Sequence, residues 1–200
     1  MVKRRKLADG LDRRSVVKVL LEDRRDLLVV SGLGSPTWDV AAAGDSPNNF
    51  YLWGAMGSAA TVGLGLALAQ PRRPVLVITG DGELMMGMGA LATVGIQKVS
   101  NFTLAVLDNE RYGETGMQMS HTAHGVDLAA IARGSGFRAA LTIGTMDGVA
   151  SIAGTIHRKA GPVFAQIKVA AGDDARVLPS RDGVFLKNRF RAAVVSRSEP

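Results

Sequence analysis

Val75-Leu76-Val77-Ile78-Thr79-Gly80-Asp81-Gly82-Glu83-Leu84 passes from a short apolar run, through two glycines around an aspartate, into a segment of helical length. An apolar run of four residues, continued by Thr79 with no polar alternation before it, predicts a strand covered on both faces, as in a parallel sheet layered by helices. Helical length then continues from about Leu84 to Val99. The same alternation recurs outward in both directions. Upstream, 12–25 sets Val16, Val17, Val19, Leu20 and Leu21 among charges, which reads as an amphipathic helix. Leu27 to Ser31 reads as a strand closing on Gly32-Leu33-Gly34-Ser35-Pro36, and Ser58 to Gln70 as a helix of small residues stopped by Pro71. Downstream come a strand from Phe102 to Leu107, a helix from Asp127 to Gly134, a short strand from Ala139 to Ile143, a helix from Asp147 to Lys159 and a last strand from Pro162 to Val169. From Ala170 the chain reads as a tail with one or two helical turns around 184–195. Such a series implies an α/β fold: a three-layer α/β/α arrangement whose mainly parallel sheet carries helices on both faces.

At 200 residues the chain has room for one domain of ordinary size with an arm at either end. Its 46% hydrophobic and 21% charged residues exclude wholesale disorder. With no cysteine, disulfides, thiolate-bound zinc, iron–sulfur clusters and thiol nucleophiles are excluded. A net charge of +6 raises nucleic acid as a partner, but the cations crowd at the ends: Lys3, Arg4, Arg5, Lys6, Arg13 and Arg14 at the start, Arg176, Arg181, Lys187, Arg189, Arg191 and Arg197 in the tail. From Pro74 to Phe137 only Lys98, Arg111 and Arg133 are fixed cations, so the centre is no basic face, and aromatic residues are scarce for base stacking. The expected organisation is a basic N-terminal arm (1–11), a core domain (12–170) and a C-terminal arm (171–200) available for docking a partner. Gly54 to Ala69, the most apolar stretch, is shorter than a membrane span. The expectation is therefore a cytoplasmic protein with neither nucleic acid nor membrane as partner.

Ligands of open parallel sheets sit in the crevice beyond the carboxyl ends of the strands. Three strands here end in chemically loaded turns: Ser31 to Ser35, Gly80 to Glu83, and Asp108 to Gly113. In Gly80-Asp81-Gly82 the glycines let backbone approach a ligand, and free N–H groups at a helix start can face a phosphate. A carboxylate beside a phosphate repels it unless a cation lies between, and Mg²⁺ held by protein and phosphate oxygens is the usual solution. Asn109 offers a neutral amide oxygen after the next strand. A dinucleotide fingerprint at Gly32-Leu33-Gly34 lacks both its third glycine and the acidic residue about 20 positions on.

Gly80-Asp81-Gly82, then 25 residues, then Asp108-Asn109 resembles the fingerprint of thiamine-diphosphate (ThDP) enzymes, with Asp108 where an Asn commonly stands. Leu52-Trp53-Gly54-Ala55-Met56-Gly57 resembles the segment that wedges an apolar side chain between the two rings of the cofactor, and Met56 falls at that place. The resemblance covers about residues 12 to 170 and corresponds to the cofactor-binding (PP) domain. It implies ThDP and Mg²⁺ as cofactors, with Asp81, Asn109 and the main-chain oxygen of Arg111 on the metal. Gly34, Ser35, Gly54, Met56, Gly80, Gly82, Glu83, Asn109, Tyr112 and Gly113 would contact the cofactor, Gly82 and Glu83 through their N–H groups.

Glu110-Arg111-Tyr112-Gly113-Glu114-Thr115-Gly116-Met117-Gln118 is similar to the corresponding run of sulfopyruvate and phosphonopyruvate decarboxylases. That similarity implies removal of CO₂ from a small anionic 2-oxo acid to leave an aldehyde. A chain of this length has no room for the pyrimidine-binding (PYR) domain, whose glutamate activates the cofactor, so a PYR-type partner subunit in a hetero-oligomer is expected. An acetolactate-synthase-like carboligase subunit and a non-catalytic ThDP-binding or regulatory subunit are the alternatives. His121, Glu114 and Gln118 are candidate catalytic residues on a loop from Tyr112 to Gly125 expected to be mobile over the site. His121 and His124, three residues apart, fall short of a metal set. Arg111 is suited to a substrate's second anionic group.

Overall fold

A computed structural model describes residues 10–172 and 174–195, so most of the expected N-terminal arm lies outside the described residues. In chain order the elements are α1 (Arg13–Leu20), β1 (Leu28–Ser31), α2 (Ser35–Ala42), β2 (Asn49–Tyr51), α3 (Ala59–Ala69), β3 (Val75–Gly80), α4 (Asp81–Met86), α5 (Ala90–Gln97) and β4 (Phe102–Asp108). They continue with β5 (Arg111–Tyr112), β6 (Gln118–Met119), α6 (Leu128–Gly134), β7 (Ala139–Ile143), α7 (Met146–Ile156), β8 (Val163–Lys168) and α8 (Gly183–Val195). Six strands form one parallel sheet in the order β2-β1-β3-β4-β8-β7. This is the three-layer α/β/α architecture that the alternation of apolar runs implies.

Each central strand feeds both cores by its alternation. Leu76 and Ile78 of β3, with Ala105 and Leu107 of β4, face the helices α1, α2 and α7. Val75 and Val77, with Leu104 and Val106, face α3, α4, α5 and α6. All of these strand residues are buried, and full burial of such a side chain contributes roughly 1.5–3 kcal/mol. The small residues of α3 serve this contact: a Cβ at Gly63 would lie 2.1 Å from a methyl of Val77.

Several elements differ from the sequence expectation, each for a local reason. α1 stops at Leu20 rather than Arg25, because the run Glu22-Asp23-Arg24-Arg25-Asp26 has no apolar face to bury. α2 and β2 are additional. Gly34, with φ +75°, turns the chain into α2, and Pro36 falls in its first turn, where its missing N–H is no loss. The helix expected over 84–99 starts earlier, at Asp81, and is divided at Gly87-Met88-Gly89 into α4 and α5. Gly87 crosses the backbone of Gly57 so closely that a Cβ would lie 1.9 Å from the Gly57 oxygen. α8 runs 13 residues and packs against β2, with Leu186 buried and the Phe190 ring 5.2 Å from that of Phe50. Arg189 of α8 pairs with Asp45 at 2.6 Å.

Candidate functional site

Because β1, β3 and β4 are consecutive in the sheet, their carboxyl-end turns adjoin. Together with the Met56 loop and the segment after β4 they line an open cleft. Ser35, Met56, Gly80, Asp81, Gly82, Glu83, Asn109, Arg111, Tyr112, Gly113 and Glu114 all line it. Gly34 lies at its edge, where a Cβ would meet the Glu114 carboxylate at 2.5 Å. Gly54 is exposed two residues before Met56 and does not line the cleft. Gln118 is also outside, exposed and bonded to Thr115. His121 reaches the cleft only through Tyr112, whose hydroxyl stands 2.9 Å from His121 Nδ1. The segment from Tyr112 to Gly125 is folded, as the antiparallel β5–β6 pair with short 3₁₀ turns on either side of β6.

Asp81 is the electrostatic centre. Its side chain is buried, the Ser120 hydroxyl donates to Oδ2, and Thr122 Oγ1 lies 3.1 Å from the same oxygen. Burial pushes the carboxyl up to about 6; the Ser120 hydroxyl draws it back, and the like charge of Asp108 adds to the rise. Asp108 has Lys168 as its counter-ion, whereas Asp81 has no cationic side chain among the described ion pairs, and a cation at its free oxygen would offset the cost of its burial. The donor set is hard: Asp81 has a second carboxylate oxygen, and Asn109 Oδ1 points back along its own loop, accepting from the Arg111 N–H at 3.0 Å. No group of three His, Cys, Asp or Glu side chains suited to a metal occurs among the described residues. A divalent ion here would draw its remaining oxygens from backbone, water or ligand, as Mg²⁺ does with diphosphates. The residues present therefore fit a magnesium diphosphate.

Gly82 and Tyr112 explain each other. The ring of Tyr112 covers the first turn of α4, and a Cβ on Gly82 would lie 2.6 Å from two ring carbons. Glu83 has a role that the sequence does not disclose. Its buried Oε2 accepts from the Leu33 N–H at 3.0 Å and the Thr79 hydroxyl at 2.7 Å, tying the β1 turn to β3. The carboxyl also faces the N–H groups of Gly57 and Ala59, and burial raises its pKa. Missing too from the sequence reading are Ser120, Thr122, Gln166 and Lys168. Lys168 Nζ donates to Asp108 Oδ2 and Glu110 Oε1, both at 2.8 Å, and Gln166 Nε2 donates to Asp108 Oδ2 at 2.6 Å. The one available signal is the even spacing of Gln166 and Lys168 in an otherwise apolar strand, which puts both on one face.

Fold and cleft together define an α/β protein whose candidate ligand site lies beyond the carboxyl ends of a parallel sheet. Residues 34–167 match the thiamine pyrophosphate enzyme, C-terminal TPP binding domain family, and the chain belongs to that family. It is 38% identical over 180 residues to a phosphonopyruvate decarboxylase of Streptomyces viridochromogenes, a match that covers 90% of this chain and 45% of that protein. It is 36% identical over 189 residues to the sulfopyruvate decarboxylase subunit beta of Methanothermobacter thermautotrophicus, covering 94% of this chain and 98% of the relative. The chain thus spans less than half of the first relative and nearly all of the second. Among solved structures, benzoylformate decarboxylase from Polynucleobacter necessarius superposes with a TM-score of 0.69 at 20% identity, over 87% of this chain and 36% of that one. That likeness is one of fold.

Proposed function

We propose that this chain is the cofactor-binding subunit of a ThDP- and Mg²⁺-dependent 2-oxo acid decarboxylase that acts on a small substrate bearing a second anionic group. The observation that carries this reading is the buried Asp81 at the start of α4, which lines the same cleft as Asn109 at the adjoining ends of β3 and β4. Names of the relatives, phosphonopyruvate and sulfopyruvate decarboxylases, support the substrate class. A partner subunit is supported by the relative named subunit beta, which this chain matches over almost its whole length.

Asp81, Asn109 Oδ1 and the main-chain oxygen of Arg111 would hold Mg²⁺, while the N–H groups of Gly82 and Glu83 would face the diphosphate. When bound, thiamine diphosphate supplies the electron sink that lets a carboxylate leave as CO₂. The protein's part is orientation and electrostatics. Met56 would pack against the cofactor's rings, its loop held by Glu83 through the N–H groups of Gly57 and Ala59. The β1 turn, with Gly34 and Ser35, borders the cleft. Tyr112, whose ring covers the first turn of α4, would lie beside the diphosphate, and its hydroxyl contact with His121 would give a proton a path of one hydrogen bond between cleft and rim. Arg111 lines the cleft, half-buried, with its Nη1 on the Glu110 carbonyl and no carboxylate partner among the described ion pairs, which suits it to an oxyanion.

The test is to purify the chain together with a co-expressed PYR-type chain encoded beside it, and to supply ThDP, Mg²⁺ and a panel of 2-oxo acids. Aldehyde release from sulfopyruvate or phosphonopyruvate, faster than from pyruvate, is the expected result. Coupling of two 2-oxo acids instead of aldehyde release would move the assignment to a carboligase, and cofactor binding without turnover would move it to a non-catalytic subunit.

A further inference from the structure

Asp108 is fully buried, yet it stands one residue before a proposed metal ligand and shares the hydroxyl of Thr122 with another. Thr122 Oγ1 lies 2.7 Å from Asp108 Oδ1 and 3.1 Å from Asp81 Oδ2. The same Oδ1 accepts the N–H of Glu110 at 3.1 Å, and Glu110 itself has a φ of +60°, unusual for a residue with a Cβ. On its other oxygen Asp108 receives two donors from the neighbouring strand β8, Gln166 Nε2 and Lys168 Nζ. Lys168 reaches on to Glu110 Oε1, so one ammonium pins both ends of that left-handed turn. Gln166 cannot turn its amide round freely, because its Oε1 accepts the Ala129 N–H at 3.2 Å.

Resting on the cofactor reading above, we infer that Asp108, Gln166 and Lys168 form a clamp on β4 and β8 that positions the metal-binding loop 109–111 and, through Thr122, the Asp81 carboxylate. None of the three touches the ligand; all act through residues that do. The donor pattern makes the carboxylate obligatory. An amide at position 108, although ThDP enzymes commonly carry one there, has only one acceptor atom: its N–H₂ would face the Gln166 amide nitrogen and the Lys168 ammonium or, turned round, the Glu110 N–H, and either way donors meet a donor where the carboxylate accepts. Loss of Lys168 would instead leave a buried carboxylate beside Asp81 without its counter-ion.

Three variants of the full chain test this by calorimetry of ThDP binding at a series of Mg²⁺ concentrations: D108N, K168M and the exchange D108N/Q166E. The exchange moves the carboxylate across to β8, where it can accept from the amide introduced on β4 and still accept from the Ala129 N–H. D108N and K168M should each weaken Mg²⁺-dependent binding roughly 10- to 100-fold, as removal of a group that orients a metal ligand does elsewhere, and D108N/Q166E should recover most of that loss. Amide hydrogen exchange across 109–122, measured without cofactor, should quicken in the single variants and return in the exchange variant. Binding by D108N equal to that of the unaltered chain, or an exchange variant no better than D108N, overturns the clamp. Thr122→Val, which keeps the Lys168–Asp108 ion pair and removes the hydroxyl that joins Asp108, Asp81 and Ser120, serves if K168M does not fold, and unchanged Mg²⁺ dependence in it is equally fatal. If the unaltered chain shows no Mg²⁺-dependent binding, the cofactor reading and the clamp fall together; if it binds and the variants match it, the clamp alone falls.

Discussion

Asp81 makes the sharpest residue-level statement, because nothing in the fold requires a buried carboxylate at that place. As a helix N-cap it would need no second carboxylate nearby, yet Asp108 lies across the Thr122 hydroxyl. Asp81→Ala should therefore abolish Mg²⁺-dependent ThDP binding while leaving thermal stability equal to or above that of the unaltered apo chain, since a buried charge without a paired cation is lost. Isothermal calorimetry and a melting curve read the two effects separately. Gly82→Ala is the complementary case. Its Cβ would enter the Tyr112 ring, so the ring must swing out, and weaker ThDP binding should appear alongside altered tyrosine fluorescence. Asp81, Gly82 and Asn109 were legible in the sequence because a motif at fixed spacing carries them. Lys168 and Gln166 were not, because they reach the site through strand order, which no local pattern encodes.

The elements that the sequence reveals are those whose apolar content exceeds what one face needs. Strands β1, β3, β4 and β8 read clearly because both their faces are buried. β2 and α2 were illegible: one is a three-residue edge strand opening with Asn49, the other carries a proline in its first turn. The α4–α5 break is a tertiary effect, forced by the backbone of Gly57, and only the close approach at Gly87 reveals it. Helix α8 shows how much of the fold an apparent tail can carry. Leu186→Ala should remove roughly 2–5 kcal/mol by opening a cavity against the core, read by urea denaturation. Its ion pair has a pH signature. Desolvation raises the Asp45 carboxyl, but the hydrogen bonds from Arg189 and Tyr51 outweigh it and hold the group below its ordinary 3.8. The folded state thus favours the charged form, so the contribution is complete above about pH 4 and lost as pH falls through the lower folded-state value. Melting temperatures of the unaltered chain and Arg189→Ala should differ at about pH 6 and draw together as the pH falls below about 4.

For the molecule as a whole, the decisive feature is that the cleft has a floor and one wall. Gly54, Ala55 and Met56 are exposed along one rim, Met56 by 36%, and the β5–β6 hairpin presents Met117 and Met119 to solvent on another. On the reading proposed above, the glutamate that activates the cofactor comes from a PYR-type partner and not from this cleft. Binding and turnover should therefore separate. Homogeneous chain alone should bind ThDP with Mg²⁺ measurably but release negligible aldehyde from any 2-oxo acid, whereas addition of a PYR-type partner should raise the rate by orders of magnitude and leave the Mg²⁺ requirement in place. Met56→Ala distinguishes this from simple stabilisation of the subunit: it should retain diphosphate affinity and lose rate in the assembled enzyme, seen as slower exchange of the cofactor's C2 proton. Turnover by the isolated chain at the rate of the assembly would show that the open rim is no obstacle, and with it the need for a second subunit would disappear.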